Sequence, residues 1–242
     1  MKAQAPRTAM YLAAGLGERM RPLTDHRPKP LVALAGRALM DYALDQLCAA
    51  GVTRVVVNLH YLGGMIREHL HDCRQPEIIF SDESAELLGA GGGVLKALPL
   101  LGDAPFFVHN CDSFWRDPAA EVLRAMTGAF DAERMDALLL VAPLERASGF
   151  DGPGDYFMAA NQKLRRNREK SLAAPYAFAG VYIAHPRLFE GAPRRPFSTV
   201  ELWDRAEAAG RLAGFTHPGR WFHTGTPEAL AIAEAELQHG QR

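Results

Sequence analysis

Gly15 and Gly17, followed by Arg19 and by Lys29 within Pro28-Lys29-Pro30, are residues suited to holding a polyphosphate. Glycines without a Cβ let backbone N–H groups turn toward an anion, and the two cations add positive charge nearby. A glycine pattern this short also fits an ordinary strand-to-loop turn; Arg19 and the proline-flanked lysine tip the reading toward binding. The dinucleotide fingerprint fits poorly. Met20 stands where its third glycine belongs, and Pro22, Pro28 and Pro30 rule out the uninterrupted helix that should follow. A second chemical group, Asp112, closes the apolar run Phe106-Phe107-Val108-His109-Asn110-Cys111. A carboxylate at the C-terminal edge of a strand sits where ligands bind in open α/β sheets. One hard oxygen donor beside phosphates is adequate for Mg²⁺, although a loop-capping aspartate would look the same.

These groups need a scaffold, and the pattern predicts one. Met10 to Ala14 reads as a strand feeding the glycine loop, Leu39 to Ala50 as a helix stopped by Gly51, and Arg54 to Asn58 as a buried strand. Gly64 to His71 suggests a helix, Glu77 to Phe80 and Ala104 to His109 further strands, and Gly91-Gly92-Gly93 opens onto another helical pattern. Strand and helix alternate as a parallel α/β sheet with right-handed crossovers requires. The stretch Gly149 to Gly154 reads as a loop, and Thr226 as the N-cap of a last helix with Pro227 at its first position. No repeat or linker divides the chain, so residues 1–242 are expected to form one α/β domain.

With 48% hydrophobic and 23% charged residues the chain has enough apolar surface for a substantial core. A net charge of -1 argues against nucleic acid or a membrane surface as partner, since neither would meet a dominant basic field. Cys48, Cys73 and Cys111 have neither metal spacing nor an even number and read as reduced thiols; a zinc site is not expected. The first ten residues lack a signal-like apolar stretch and no later run approaches a membrane span, so the expected location is the cytoplasm.

Leu12-Ala13-Ala14-Gly15-Leu16-Gly17-Glu18-Arg19-Met20-Arg21-Pro22-Leu23-Thr24, followed by Arg27-Pro28-Lys29-Pro30-Leu31, resembles the signature of sugar-phosphate nucleotidyltransferases. The resemblance implies a Rossmann-like, GT-A-like fold with a mostly parallel mixed sheet flanked by helices. It implies that Leu12, Ala13, Ala14, Gly15, Gly17 and Glu18 wrap a nucleoside triphosphate, that Arg19 and Lys29 meet its phosphates, and that Asp112 holds Mg²⁺. The segment Gly89-Ala90-Gly91-Gly92-Gly93 stands where the family starts the helix bordering base and sugar, usually with Glu-Thr in place of Gly89-Ala90, so Gly91 and Gly92, with Asn110, join the expected nucleotide contacts.

Trp221-Phe222-His223-Thr224-Gly225-Thr226-Pro227 matches a family segment whose aspartate is a second metal ligand; here that place is taken by His223. An imidazole is softer than a carboxylate, tolerable for Mn²⁺ or Co²⁺ and less suited to Mg²⁺. Taken without the motif, a histidine beside two aromatics is more often a packed structural residue. On the sugar side, Asp155 and Gly180 lie in segments that resemble the family's sugar contacts, while a turn aspartate and a strand glycine explain them as simply. Lys163, Arg165, Arg166, Arg168 and Lys170 could attract an anionic substituent or form a solvated hairpin face.

The implied reaction is attack of a sugar 1-phosphate on the α-phosphorus of an NTP, releasing pyrophosphate. The short length, the triple glycine and Lys96-Ala97-Leu98-Pro99-Leu100-Leu101-Gly102-Asp103-Ala104-Pro105-Phe106 are most similar to bacterial enzymes of peptidoglycan recycling, which implies UTP and N-acetylmuramate 1-phosphate as substrates. GTP with mannose 1-phosphate is the alternative pair. A nucleotide or NDP-sugar sensor without turnover ranks lower, because a sensor has no need of a metal carboxylate. Oligomeric state is not legible.

Overall fold

The computed structural model describes residues 5–116, 119–169 and 171–239. Strand β1 (Thr8–Leu12) is followed not by a helix but by two single 3-10 turns, Glu18–Met20 and Lys29–Leu31, as Pro22, Pro28 and Pro30 dictate. The small hairpin of β2 (Ala33–Leu34) and β3 (Arg37–Ala38) leads into α1 (Leu39–Ala49). Then strand and helix alternate through β4 (Arg54–Leu59), α2 (Gly63–His69), β5 (Glu77–Asp82), α3 (Gly89–Leu101) and β6 (Phe106–Asn110). After β7 (Ser113–Phe114), α4 (Ala119–Ala129), β8 (Ala137–Pro143) and β9 (Ala147–Ser148) come the hairpin β10 (Tyr156–Met158) and β11 (Leu164–Arg166) and the long β12 (Tyr176–Ala184). The chain closes with α5 (Val200–Ala208), β13 (Leu212–Thr216), β14 (Trp221–His223) and α6 (Pro227–His239). Thr226 caps α6 as expected, its hydroxyl accepting the Ala229 N–H at 3.2 Å.

One sheet of nine strands carries the fold. Its parallel half runs β6-β1-β4-β5: the chain leaves β1 for β4 and β5 on one side, then returns through α3 to β6 on the other. That reversal of order leaves a crevice outside the carboxyl ends of β1 and β6, the usual ligand position in such sheets. Strand β12 runs antiparallel between β6 and β8, and β13 joins β8 in parallel. Alternate residues of each strand face opposite sides, so both faces are covered. Ala9, Tyr11, Val55 and Val57 pack with α1, α2 and α4, whereas Met10 and Val56 pack with Val94, Ala97 and Leu101 of α3 and with Leu202 and Trp203 of α5.

A third cluster joins the segment after β1 to the C-terminal helix. Met20, Val32, Leu34 and Leu39 meet Phe114, Phe222, Leu230 and Ala233, so the turns that follow β1 rest on an apolar floor. Above that floor β14 pairs antiparallel with β7, placing His223 opposite Ser113 and thus next to Asp112.

The triple glycine does not precede its helix; it lies inside α3. A Cβ at Gly91 would stand 2.3 Å from the Phe197 ring, and one at Gly93 2.6 Å from Glu83 Oε1, so close packing on two sides demands glycine there. The loss of helix propensity that glycine brings is compensated by that packing.

Candidate active site

At the end of β1 the backbone passes through Ala13 and Ala14 to Gly15. Gly15 has open space on its Cα, with no atom within 4 Å of where a Cβ would be, and its bare face belongs to the cleft. Gly17 is different: its φ of +70° favours glycine, and its carbonyl accepts the Thr24 hydroxyl at 2.8 Å. Met20, fully buried, anchors the first 3-10 turn through its N–H to the Gly17 carbonyl at 2.8 Å. Tyr61 holds the far side of the loop, its hydroxyl donating to the Thr24 carbonyl at 2.8 Å. A proline-pinned loop is thereby fixed before any anion arrives.

The second 3-10 turn starts at Lys29 and directs its side chain inward, only 10% exposed, to Asp112 Oδ2 at 2.9 Å. Arg19 is two-thirds exposed and stands 3.9 Å from the same oxygen. His223 approaches it from β14, with Nε2 3.5 Å from Asp112 Oδ2. The other ring nitrogen, Nδ1, lies 3.3 Å from the Gly149 carbonyl, so the ring is held between that carbonyl and the Asp112 carboxylate. Gly225 makes room for this ring, since a Cβ there would lie 2.5 Å from His223 Cε1. Burial by itself would raise the Asp112 carboxyl, but the Lys29 ammonium and the His223 ring outweigh it and hold the acid well below the usual carboxylate range.

Gly15, Gly17, Arg19, Lys29 and Asp112 share one cleft of about 580 Å³ at the carboxyl ends of β1 and β6, whereas His223 touches Asp112 without lining the cleft. Of the residues expected from the sequence, it brings together Leu12, Ala14, Gly15, Gly17, Glu18, Arg19, Lys29, Asn110 and Asp112. Ala13 is adjacent but buried, its N–H bound to Asn58 Oδ1 at 2.7 Å. Gly91 and Gly92 are placed elsewhere. Their N–H groups point to the Phe197 carbonyl, at 3.0 and 3.4 Å, and it is Gly89 and Ala90, at the very start of α3, that line the cleft.

The sugar-side expectations also change. Asp155 does not line the cleft; its Oδ2 accepts the Phe178 N–H at 3.0 Å and so braces β12. Gly180, with φ +74°, lies where the β12 pairing shifts register, and a Cβ there would stand 2.6 Å from Ser113 Cβ and 3.5 Å from Asn110 Cβ. It is glycine so that β12 can pack against the strand end that carries Asp112. In the basic cluster, Arg166 and Arg168 fork onto Asp204 and Glu207 of α5, and Arg165 covers the Phe157 ring, which makes a structural hairpin face; Lys170 lies outside the described residues.

Cys111 lines the cleft as a small thiol whose ionisation burial pushes up to about 11, so it is no nucleophile near neutral pH. Asn58 and Glu83, buried polar residues of the cleft wall, escaped the sequence reading; the only signal was a polar residue closing the run Val55-Val56-Val57.

Among the described residues no three His, Cys, Asp or Glu stand together as a ready metal site. The donors present still fit a hard divalent cation. Mg²⁺ is commonly held by one or two carboxylates, with phosphates and water completing its shell, and Asp112 is an ionised carboxylate facing the glycine loop. His223, its ring oriented by a backbone carbonyl, is a second candidate donor.

The family model described as nucleotidyl transferase matches residues 8–240 of the chain. The N-acetylmuramate alpha-1-phosphate uridylyltransferase of Caulobacter vibrioides is 44% identical over 97% of this chain and 98% of its own. A protein of the same name from Neisseria meningitidis is 35% identical over 94% of this chain and 96% of its own. Among solved structures, the inositol-1-phosphate CTP transferase of T. maritima superposes with a TM-score of 0.79 over 98% of both chains, at 19% identity. At that identity the likeness is one of fold.

Proposed function

The chain belongs to the nucleotidyl transferase family, and on that premise we propose that it makes a UDP-sugar from UTP and N-acetylmuramate 1-phosphate, releasing pyrophosphate. The observation that carries the reading is the meeting of the β1 glycine loop, Lys29 and Asp112 in one cleft. The similarity to two uridylyltransferases along nearly the whole chain supports the choice of base and sugar.

In this reading the open face of Gly15 and the loop that follows it receive the triphosphate, while Lys29 and Arg19 balance its charge. An oxygen of the sugar 1-phosphate forms a bond to the α-phosphorus as the bond to the β-phosphoryl oxygen breaks, and pyrophosphate leaves with that electron pair. The attacking phosphate is already an anion, so no general base and no covalent enzyme intermediate are needed. The chain's contribution is to align two mutually repelling anions and neutralise the charge that builds between them. Mg²⁺, held by Asp112 with His223 beside it, would supply Lewis-acid stabilisation of the phosphoryl oxygens, with Mn²⁺ or Co²⁺ as replacements a histidine donor suits.

Residues 1–242 act as one catalytic unit in this proposal. Its place is peptidoglycan recycling in the cytoplasm, where UTP is available and where the three free cysteines would stay reduced. The test is pyrophosphate release from four NTPs set against N-acetylmuramate, mannose, glucose and N-acetylglucosamine 1-phosphates, with Mg²⁺ and again with Mn²⁺. Turnover confined to UTP and the muramate is the expected result. Turnover with GTP and mannose 1-phosphate instead would make the protein a guanylyltransferase, and binding without turnover anywhere would make it a sensor.

A further inference from the structure

A chain of buried hydrogen bonds runs across the cleft, and its two side-chain members, Asn58 and Glu83, belong to the cleft lining. The Ala13 N–H donates to Asn58 Oδ1 at 2.7 Å; Asn58 Nδ2 donates to Glu83 Oε1 at 2.7 Å; Glu83 Oε2 accepts the Leu88 N–H at 3.2 Å. Asn58 is 3% and Glu83 1% exposed, so neither is a surface ornament. Among the described residues no cation pairs with the Glu83 carboxylate; its contacts are these two N–H donors. A buried carboxylate without a counter-ion is costly to keep, and an apolar pair of the same shape would fill the space at less cost. Gly93 shows how closely the surroundings fit the pair, since a Cβ there would meet Glu83 Oε1 at 2.6 Å and Asn58 Nδ2 at 2.9 Å.

The two ends of the chain are the two walls of the cleft. Ala13 leads into Ala14 and Gly15 of the phosphate loop, and Leu88 joins Leu87 to Gly89 and Ala90 on the opposite side; Ala14, Gly15, Leu87, Gly89 and Ala90 all line the cleft. The walls come from β1 and α3, elements separated by β2, β3, α1, β4, α2 and β5 in the chain; Asn58 is the last residue but one of β4, and Glu83 directly follows β5. The side-chain relay therefore fixes wall against wall.

We propose that Asn58 and Glu83 are positioning residues for the nucleotide, setting the separation of phosphate loop and α3 so that the triphosphate half of the cleft is formed before substrate binds. The proposal rests on the reading that this cleft holds the NTP. Preorganisation of this kind lowers the cost of binding the ligand that spans both walls and leaves other ligands alone.

Donor and acceptor roles supply the test. In Asn58→Asp, two acceptor oxygens face each other where Nδ2 met Oε1. In Glu83→Gln, one amide cannot accept from both Asn58 Nδ2 and the Leu88 N–H. In the double variant Asn58→Asp with Glu83→Gln, the carboxylate now at position 58 accepts from the Ala13 N–H and from the amide now at position 83, whose oxygen accepts from Leu88, so every bond returns with one donor reversed.

Steady-state kinetics with UTP and N-acetylmuramate 1-phosphate, alongside thermal melts, should give each single variant a KM for UTP raised about tenfold, the scale of one buried hydrogen bond. The KM for the sugar phosphate and kcat should stay within about threefold, and the double variant should return to within about threefold of the parent KM for UTP. Single variants with the parent KM for UTP, a loss shared equally by both substrates, or a double variant no better than the worse single one would each overturn the proposal. If Asn58→Asp fails to fold, Glu83→Gln and the double variant still decide it. Failure of the parent protein to turn over UTP would instead overturn the proposed function, and a UTP dissociation constant for the same variants then reads the relay without turnover.

Discussion

At the scale of single residues, the cleft separates groups that hold the fold from groups that await a ligand. Asp112 is the sharpest case: its carboxylate stays ionised because Lys29 and His223 face it, and its backbone carbonyl meanwhile accepts the Thr224 N–H at 2.9 Å, a bond no side-chain change removes. Asp112→Asn keeps the shape and a hydrogen-bond acceptor for Lys29 but removes the charge. It should melt several degrees below the parent, because Lys29 loses its buried counter-ion, yet fold, while kcat falls by about 10³-fold, the scale of a removed electrostatic stabiliser; pyrophosphate release together with a melting curve checks this, and near-parent turnover would take Asp112 out of the metal site. Gly15 makes a complementary case. Nothing in the protein opposes a methyl group there, and its φ is not in the left-handed region, so Gly15→Ala should leave melting unchanged and raise the KM for UTP by about tenfold or more by intruding where phosphate binds. Equal affinity for UTP would mean the triphosphate does not approach Gly15. Asp112, Gly15, Gly17, Arg19 and Lys29 were legible because each lies in a short local pattern whose chemistry is visible without a fold. Asn58 and Glu83 were not, since a strand-ending asparagine and a glutamate in a loop acquire meaning only when β4, β5 and α3 bring them within 2.7 Å of each other.

At the scale of elements, α3 shows why a glycine-rich motif can be recognised in a sequence while the residues of it that face a ligand cannot. Helical geometry turns neighbouring positions by about 100°, so of five small residues from Gly89 to Gly93 only the first two face the cleft, while Gly91 turns to Phe197 and Gly93 to Glu83. Gly91→Ala is therefore expected to behave in the opposite way to Gly15→Ala. The added methyl would overlap the Phe197 ring, which is 5% exposed and held by its own backbone bonds to Leu88 and Gly91, and overpacking of that kind costs about 1–3 kcal/mol. Chemical denaturation should register that loss, with the KM for UTP at temperatures where the variant is folded changed by less than about threefold; a fully stable variant would show that Phe197 is free to move aside. The parallel strands were legible from apolar runs bounded by turns. The antiparallel insertion β8 to β12 was not, because runs buried on both faces, such as Leu138-Leu139-Leu140-Val141, carry no alternation from which pairing partners can be inferred.

At the scale of the whole molecule, the sheet that forms the site also determines how the protein meets acid. β6 carries His109 between Tyr11, 5.8 Å away by ring centroid, and Trp115, 5.9 Å away and nearly parallel, with Trp115 in turn edge-on to His217. The Nδ1 of His109 faces the Asn110 carbonyl at 2.8 Å, and its Nε2 has no partner among the described residues, so a proton added there would be charged, buried and unpaired. Burial accordingly lowers the ring from 6.5 to about 4, outweighing the opposite pull of the Asn110 carbonyl and Asp112, and burial lowers His217 in the same direction. The sign follows from linkage. Between those two values the unfolded chain binds a proton that the folded chain refuses, so the stability contributed by a neutral His109 is complete above about pH 6.5 and lost as the pH falls toward about 4. At 1.36 kcal/mol per unit the loss reaches about 3 kcal/mol, a large part of the 5–15 kcal/mol typical of a domain. Asp136 acts only at lower pH: burial raises its carboxyl, but Arg211 and Arg187 outweigh that and lower it, so its contribution persists until the carboxylates themselves titrate. Urea unfolding at pH 7.0, 6.5, 6.0 and 5.5 should therefore show stability already falling above the range in which carboxylates titrate. His109→Leu, which removes the titrating ring while keeping the site apolar, should flatten that slope whatever it does to stability at pH 7. A parent protein equally stable at pH 7.0 and 5.5, or a leucine variant with the same slope, would mean that β6 opens to water around His109 and that the floor of the cleft is less tightly closed than its packing implies.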